Sequence, residues 1–314
     1  MHNFALMLET FTHWRAVLTL TLALLLAAAC GGKDNAVTTE ASPDAHEMRM
    51  GVMPTLDCLP LLVAHEEGIL DSLHADVEIV SYDDGLDCCT DLMEGDIDGC
   101  LTDVARAAWM EGKGCQLRRI FATNAYWQLV TNRLSRIGEL RQMTDKILAV
   151  TRFSAAEMLG DIAVDSAGIT PEYVFRVQIN NPEVRLRMIM NNEIDAAMLT
   201  EPQATAARLG NHQVLMDSRD KDFVAGVTVL REDFITDSLH KELTDKLTEA
   251  YNIAAEKINR RGVKAYKDII MRRMGASEST VNALPDLKFC EASSPRPADT
   301  RRAAQWLTRS TGQR

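Results

Sequence analysis

Several chemistries have no foothold in this 314-residue chain. No C-x-x-C spacing occurs, so a structural zinc site has no support. No G-x-S-x-G turn exposes a serine nucleophile, and no H-E-x-x-H helix holds a catalytic metal. Positive charge is in deficit: 34 Lys and Arg stand against 45 Asp and Glu, a formal charge of −11. Such a chain does not bind nucleic acid or an acidic membrane through bulk charge. Aromatic residues are only 5% of the chain, so a pair such as Tyr126-Trp127 stands out. After residue 29 no stretch is long and apolar enough to span a bilayer.

What the chain does have begins at residues 16–29, "AVLTLTLALLLAAA". That run is short for a membrane span and follows Arg15, the layout of a secretory signal peptide. It ends in "LAAAC" followed by two glycines. A cysteine directly after small residues resembles a bacterial lipobox, in which the signal is cut and Cys30 is lipidated. Residues 30–46 lack apolar periodicity and read as a flexible lipidated tether. These readings put a signal peptide at 1–29. They hold the body outside the cytoplasm, on the periplasmic side of a bacterial inner membrane, or on the cell surface if the organism has one membrane.

Removing residues 1–29 leaves 285, enough for two modest α/β lobes or one large domain. Seven cysteines occur: Cys30, Cys58, Cys88, Cys89, Cys100, Cys115 and Cys290. In an oxidising compartment the last six could form disulfides, but neighbours such as Cys88 and Cys89 rarely bond each other. Buried thiols acting as small hydrophobes are the expectation, and no metal or cofactor is implied.

Along the body, short apolar runs alternate with amphipathic stretches. "VEIVSY" (77–82), "KILAVTRFS" (146–154), "EYVFRVQI" (172–179), "HQVLMDS" (212–218) and "VAGVTVLRE" (224–232) read as strands. "LDCCTDLMEGD" (86–96), "AAEMLGDIAVDSAGI" (155–169) and "NPEVRLRMIMNNE" (181–193) read as helices, the last opened by proline. From Lys241 the chain is mainly helical. Strands alternating with helices imply an α/β architecture with largely parallel sheets. Several strands end in similar polar loops: Thr55-Leu56-Asp57, Thr102-Asp103, Arg152-Phe153-Ser154 and Thr200-Glu201-Pro202. Each alone suits a helix cap. Together, at strand ends, they suit a ligand cleft.

The segments "GVMPTLDCLPLLVAHEEGIL", "GDIDGCLTDVARA", "DKILAVTRFSAAEMLGDIAVDSAGI" and "NNEIDAAMLTEPQATAARLG" resemble the periplasmic substrate-binding proteins of ABC importers. The resemblance is to the type II class that includes nitrate-, sulfonate- and thiamine-precursor-binding proteins. It implies a two-lobe fold with two mixed, mostly parallel sheets and a hinge. Lobe one would take 47–127 plus 225–314, and lobe two 128–224. A monomeric receptor would close on a small molecule and deliver it to a membrane permease and its ATPase, tethered through lipid at Cys30.

By that matching the ligand-binding residues would be Thr55, Leu56, Asp57, Thr102, Asp103, Asn124, Tyr126, Trp127, Arg152, Phe153, Ser154, Thr200 and Glu201. Ser154 would donate hydrogen bonds. Asp57, Asp103 or Glu201 would accept from an amine or ring N–H, and Tyr126, Trp127 or Phe153 would stack on a flat ligand. Only Arg152 is basic in that set, which favours a neutral or cationic nitrogen compound, a pyrimidine-like thiamine precursor among them. Two other readings remain open. One is an enzyme, since the fold is shared with some enzymes of thiamine-pyrimidine and menaquinone synthesis. The other is a ligand-sensing module. The pair Cys88-Cys89 is expected to lie away from the strand-end loops.

Overall fold

A computed structural model describes residues 48–312, all within one compact unit. The signal, Cys30 and the tether lie outside the described residues.

Ten strands form two sheets: β1 (Met48–Val52), β2 (Val77–Ser81), β3 (Gly99–Asp103), β4 (Leu117–Ala122), β5 (Gln128–Thr131), β6 (Lys146–Val150), β7 (Val174–Gln178), β8 (Ala196–Leu199), β9 (Gln213–Asp217) and β10 (Gly226–Arg231). Sheet I has the order β2-β1-β3-β10-β4, and sheet II the order β7-β6-β8-β5-β9. In each sheet one strand opposes the other four. β10 is antiparallel to β3 and β4, and β5 is antiparallel to β8 and β9. Each reversed strand is the one the chain enters directly from the other sheet. Entering without an intervening α-helix leaves no crossover to restore a parallel direction.

The two crossing segments are fastened to each other. Trp127 N–H donates to Ser218 Oγ at 2.9 Å, and Ser218 N–H donates to the Trp127 carbonyl at 2.9 Å.

The helices are α1 (Leu59–Glu66), α2 (Ile69–Ser72), α3 (Gly85–Glu94), α4 (Val104–Gly112), α5 (Ala155–Ser166), α6 (Pro182–Met190), α7 (Gln203–Leu209), α8 (Ser238–Arg261), α9 (Lys267–Met274), α10 (Glu278–Ala283) and α11 (Pro297–Gly312). Their starts follow sequence chemistry. Asp84, Asp103, Ser154 and Asn181 cap α3, α4, α5 and α6 by accepting from backbone N–H groups. No described helix is long and apolar enough to cross a membrane.

Strands β5 and β8 are buried along their whole length, β8 as an unbroken apolar run and β5 with Gln128 and Thr131 at its ends. One core cluster packs α1, α8 and α9 against sheet I. A second is shared by both sheets: Val104 and Met110 of α4, Leu159 of α5 and Trp306 of α11 all enter it. The Trp306 indole N–H also donates to Asp161 of α5 at 2.8 Å. Helix α11 therefore straps α4, beside sheet I, to α5, beside sheet II.

Gly99 allows a close approach in sheet I. A Cβ there would lie 2.2 Å from a Leu230 methyl and 2.6 Å from the Val229 carbonyl oxygen. The carbonyl is backbone and cannot retreat without parting β3 from β10. Gly99→Ala is expected to lower stability by about 1–3 kcal/mol in denaturant unfolding. An unchanged midpoint would show that β10 can shift freely.

Candidate functional site

The carboxyl ends of β1, β3, β6, β7 and β8 point at one another across a cavity of ≈ 90 Å³. That is room for several waters or one small solute. Of the residues singled out from sequence, Thr55, Asp57, Thr102, Asp103, Trp127, Ser154 and Thr200 line it.

The other six lie elsewhere, each for a visible reason. Leu56 is buried in the sheet I core, and its N–H donates to the Glu201 carbonyl at 2.8 Å. Asn124 and Tyr126 face a separate groove beside the crossings. Asn124 donates there to the Lys288 carbonyl at 3.1 Å. Arg152 lies over the Phe153 ring, 5.1 Å from its centroid. Phe153 stacks on Trp109 of α4, with centroids 5.7 Å apart and planes within 8°. Glu201 is 1% exposed. Its carboxylate is occupied: Oε1 accepts from the Tyr126 hydroxyl at 2.8 Å and from Arg208 at 2.7 Å, and Oε2 accepts from Thr205 N–H at 2.9 Å.

Asp103 ties the site together. Its Oδ1 accepts from the N–H groups of Ala105 and Arg106 in α4, at 3.0 and 2.8 Å. It also accepts from Ala155 N–H of α5 at 2.9 Å. Burial raises its carboxyl above the ordinary value, against the pull of Arg106 and these bonds. Asp57 is likewise raised by burial, against hydrogen bonds from Thr55 and Thr123.

Two arginines absent from the sequence reading change its charge. Arg106 of α4 and Arg185 of α6 both line the cavity, 2% and 4% exposed. Neither forms an ion pair with a carboxylate among the described residues. Arg185 donates to the Thr151 hydroxyl and to the Ile179 and Asn180 carbonyls, while its Nε has no partner among the described residues. Burial, then the charge of Arg106, lowers its affinity for a proton to a pKa of about 10, with Asp84 acting in the opposite direction. Arg106 leans on the Trp109 ring, 5.7 Å from the centroid. The helices α3, α4, α5 and α6 all present residues of their first turn to the cavity. Side-chain caps take up several of their first N–H groups, and their dipoles favour a negative charge there.

Cys88 and Cys89 also line the cavity, contrary to the expected distance from the strand-end loops. Helix α3 starts at the end of the loop after β2 and turns its first two turns inward. Hydrogen bonding with Cys100, then burial, pushes the Cys89 thiol well up, and Cys100 is raised too. Cys58, Cys88, Cys89 and Cys100 are buried free thiols, Cys115 is half-buried and Cys290 is exposed.

The NMT1-like family pattern matches residues 41–267. The chain belongs to the NMT1-like family. No match was found among curated proteins. Similar solved structures include the alkanesulfonate-binding protein of Xanthomonas axonopodis pv. citri bound to MOPS, at 15% identity and TM-score 0.70, covering 85% of this chain and 93% of that one. The ligand-binding component of an ABC-type import system from Staphylococcus aureus, with zinc bound, gives 16% and 0.70, covering 85% and 92%. The periplasmic nitrate-binding protein of Synechocystis PCC 6803 gives 14% and 0.67, covering 86% and 89%. This NMT1-like chain thus has the periplasmic-binding-protein fold, as the sequence resemblance implies.

The Glu201 network supports the junction of the two sheets. Glu201→Ala would strand Arg208 and the Tyr126 hydroxyl. A loss of about 2–4 kcal/mol in chemical denaturation is expected, discounted for the partial exposure of Arg208. A loss of under ~0.5 kcal/mol would contradict this role.

Proposed function

We propose that the protein is the solute-binding component of an ABC importer, holding a small molecule with an anionic group between two lobes. The observation that carries this is the pair of buried arginines, Arg106 and Arg185, unpaired with any carboxylate among the described residues and facing one cavity with four helix starts. Burying a cation costs several kcal/mol unless a counter-charge joins it. Guanidinium groups also match the flat, multi-oxygen geometry of an oxyanion. Structural relatives named for alkanesulfonate and nitrate support the reading.

Lobe one would comprise 47–127 and 225–314, and lobe two 128–224. The hinge would lie where the crossings pair at Trp127 and Ser218. Monomeric, it would work at the outer face of the membrane. Lipid at Cys30 would raise its concentration beside the permease and ATPase. A pyrimidine-like or thiamine-precursor ligand was favoured while Arg152 stood as the one cation, and Arg106 and Arg185 remove that premise. Asp57 still faces the cavity, so a ligand joining an anionic group to an amine or ring N–H is accommodated. The enzyme reading predicts turnover of a bound compound, which the same sample tests.

Calorimetric titration with methanesulfonate and nitrate is the direct test. Binding to the native chain is expected, with a loss of at least about tenfold in Arg106→Gln and in Arg185→Gln. Equal affinity in all three proteins, or binding of pyrimidine amines without any anion, overturns the anion reading.

The pH dependence has a definite sign. Asp57 and Asp103 titrate above their ordinary value because they are buried. Protonating them removes negative charge from the cavity. Anion affinity should therefore rise as pH falls through that range, and fall at high pH as Arg185 nears its pKa of about 10. A Kd that tightens as pH rises from neutrality would be the opposite result.

A further inference from the structure

The two cavity arginines reach the site from opposite sheets. Arg106 is on α4, which follows β3 of sheet I. Arg185 is on α6, which follows β7 of sheet II. The nearby acids are already engaged, Asp57 by the Thr123 hydroxyl at 3.2 Å. Asp103 Oδ1 accepts three backbone N–H groups. Asp84 Oδ1 accepts from Leu86 and Asp87 at the start of α3. Among the described residues no carboxylate bridges the two guanidinium groups.

Other contacts across the same junction favour closure without any ligand. Trp109 of α4 stacks on Phe153. Leu56 N–H donates to the Glu201 carbonyl, and Gln203 donates to the Pro54 carbonyl at 3.2 Å. Left to these, the two halves would meet whatever solute was present.

We propose that Arg106 and Arg185 select the ligand by charge at the closing step: their mutual repulsion opposes apposition of the lobes, and an anionic group between them relieves it. This rests on the reading of a hinged, anion-binding cleft. The selection is repulsive as well as attractive. A neutral or cationic solute of the right shape can touch one lobe, but it leaves like charges facing each other when the second arrives. A ligand shifts a conformational equilibrium only by its differential affinity for the two states. Here the difference is the charge it supplies between two arginines.

The test is small-angle X-ray scattering on the soluble body, residues 47–314, with calorimetry on the same samples. The proteins are wild type, Arg106→Gln, Arg106→Lys and Arg185→Gln, each with and without methanesulfonate. Wild type and Arg106→Lys are expected to be expanded without the anion and to contract with it. Both Gln variants are expected to be compact in either buffer, with a closed-to-open ratio about tenfold higher than wild type. Arg185 also bonds the backbone near Asn180, so circular dichroism must show that variant folded. Arg106 carries no such side-chain bond, and its pair of variants decides the matter if Arg185→Gln does not fold. Gln variants no more compact than wild type in anion-free buffer overturn the proposal, even if calorimetry shows methanesulfonate bound. Absence of anion binding in wild type overturns the functional reading instead. The anion-free comparison still reports whether the two charges repel.

Discussion

One carboxylate, Asp103, holds both halves of the site in register. It sits where β3 gives way to α4, and its Oδ1 gathers N–H groups from α4 and from α5 across the junction. A cap residue ordinarily serves one helix. Here it serves two, drawn from different sheets. Arg106 follows three residues after it, so the same bonds that start α4 fix where the first guanidinium points. The stack of Trp109 on Phe153, two residues before Ala155, lies on the same line of contact. Asp103 therefore fixes the position of one cavity wall relative to the other.

The sheet topology makes such a residue possible. Each sheet admits its neighbour's chain as a single reversed strand. The remaining strands keep one direction, and their carboxyl ends face inward from both sides. Ligand sites in open α/β sheets lie beyond those ends. Two sheets facing each other in this way double the number of loops and helix starts at one point. They also put the paired crossings at Trp127 and Ser218 beside the cavity. The strap of α11 from α4 to α5 ties the two sides together at a second place.

Much of this was legible in the sequence because it is written in periodicity and punctuation. Strands such as "VEIVSY" and helices opened by "NP" announce themselves through local chemistry. The strand-end loops did so too, and Thr55, Asp57, Thr102, Asp103, Ser154 and Thr200 do come together. What was hidden depends on which way a helix turns. Arg106 and Arg185 lie within helices, one turn past their caps, where an arginine ordinarily reads as a solvated charge. Only the packing of α4 and α6 turns them inward. One signal was available: in "TDVARAAWM" Arg106 is flanked by small apolar residues, an odd setting for an exposed cation. Glu201 shows the converse. Its place at a strand end looked available to a ligand, yet Arg208, near the far end of α7, and Tyr126 from the crossing claim it first.

The balance of charge in the whole chain hid the character of its site. A net charge of −11 says that surface and solvent are well matched. It says little about a cavity, where desolvation multiplies the weight of each group. Two arginines among thirty-four basic residues hardly alter the total. Buried at 2% and 4% exposure, they dominate the field a small solute meets. The acids beside them are already engaged, Asp103 by backbone donors and Asp57 by the Thr123 hydroxyl. An acidic protein can thus present two buried arginines to one cavity. The surrounding negative surface would slow the approach of anions, and selection then falls to the few groups that meet inside.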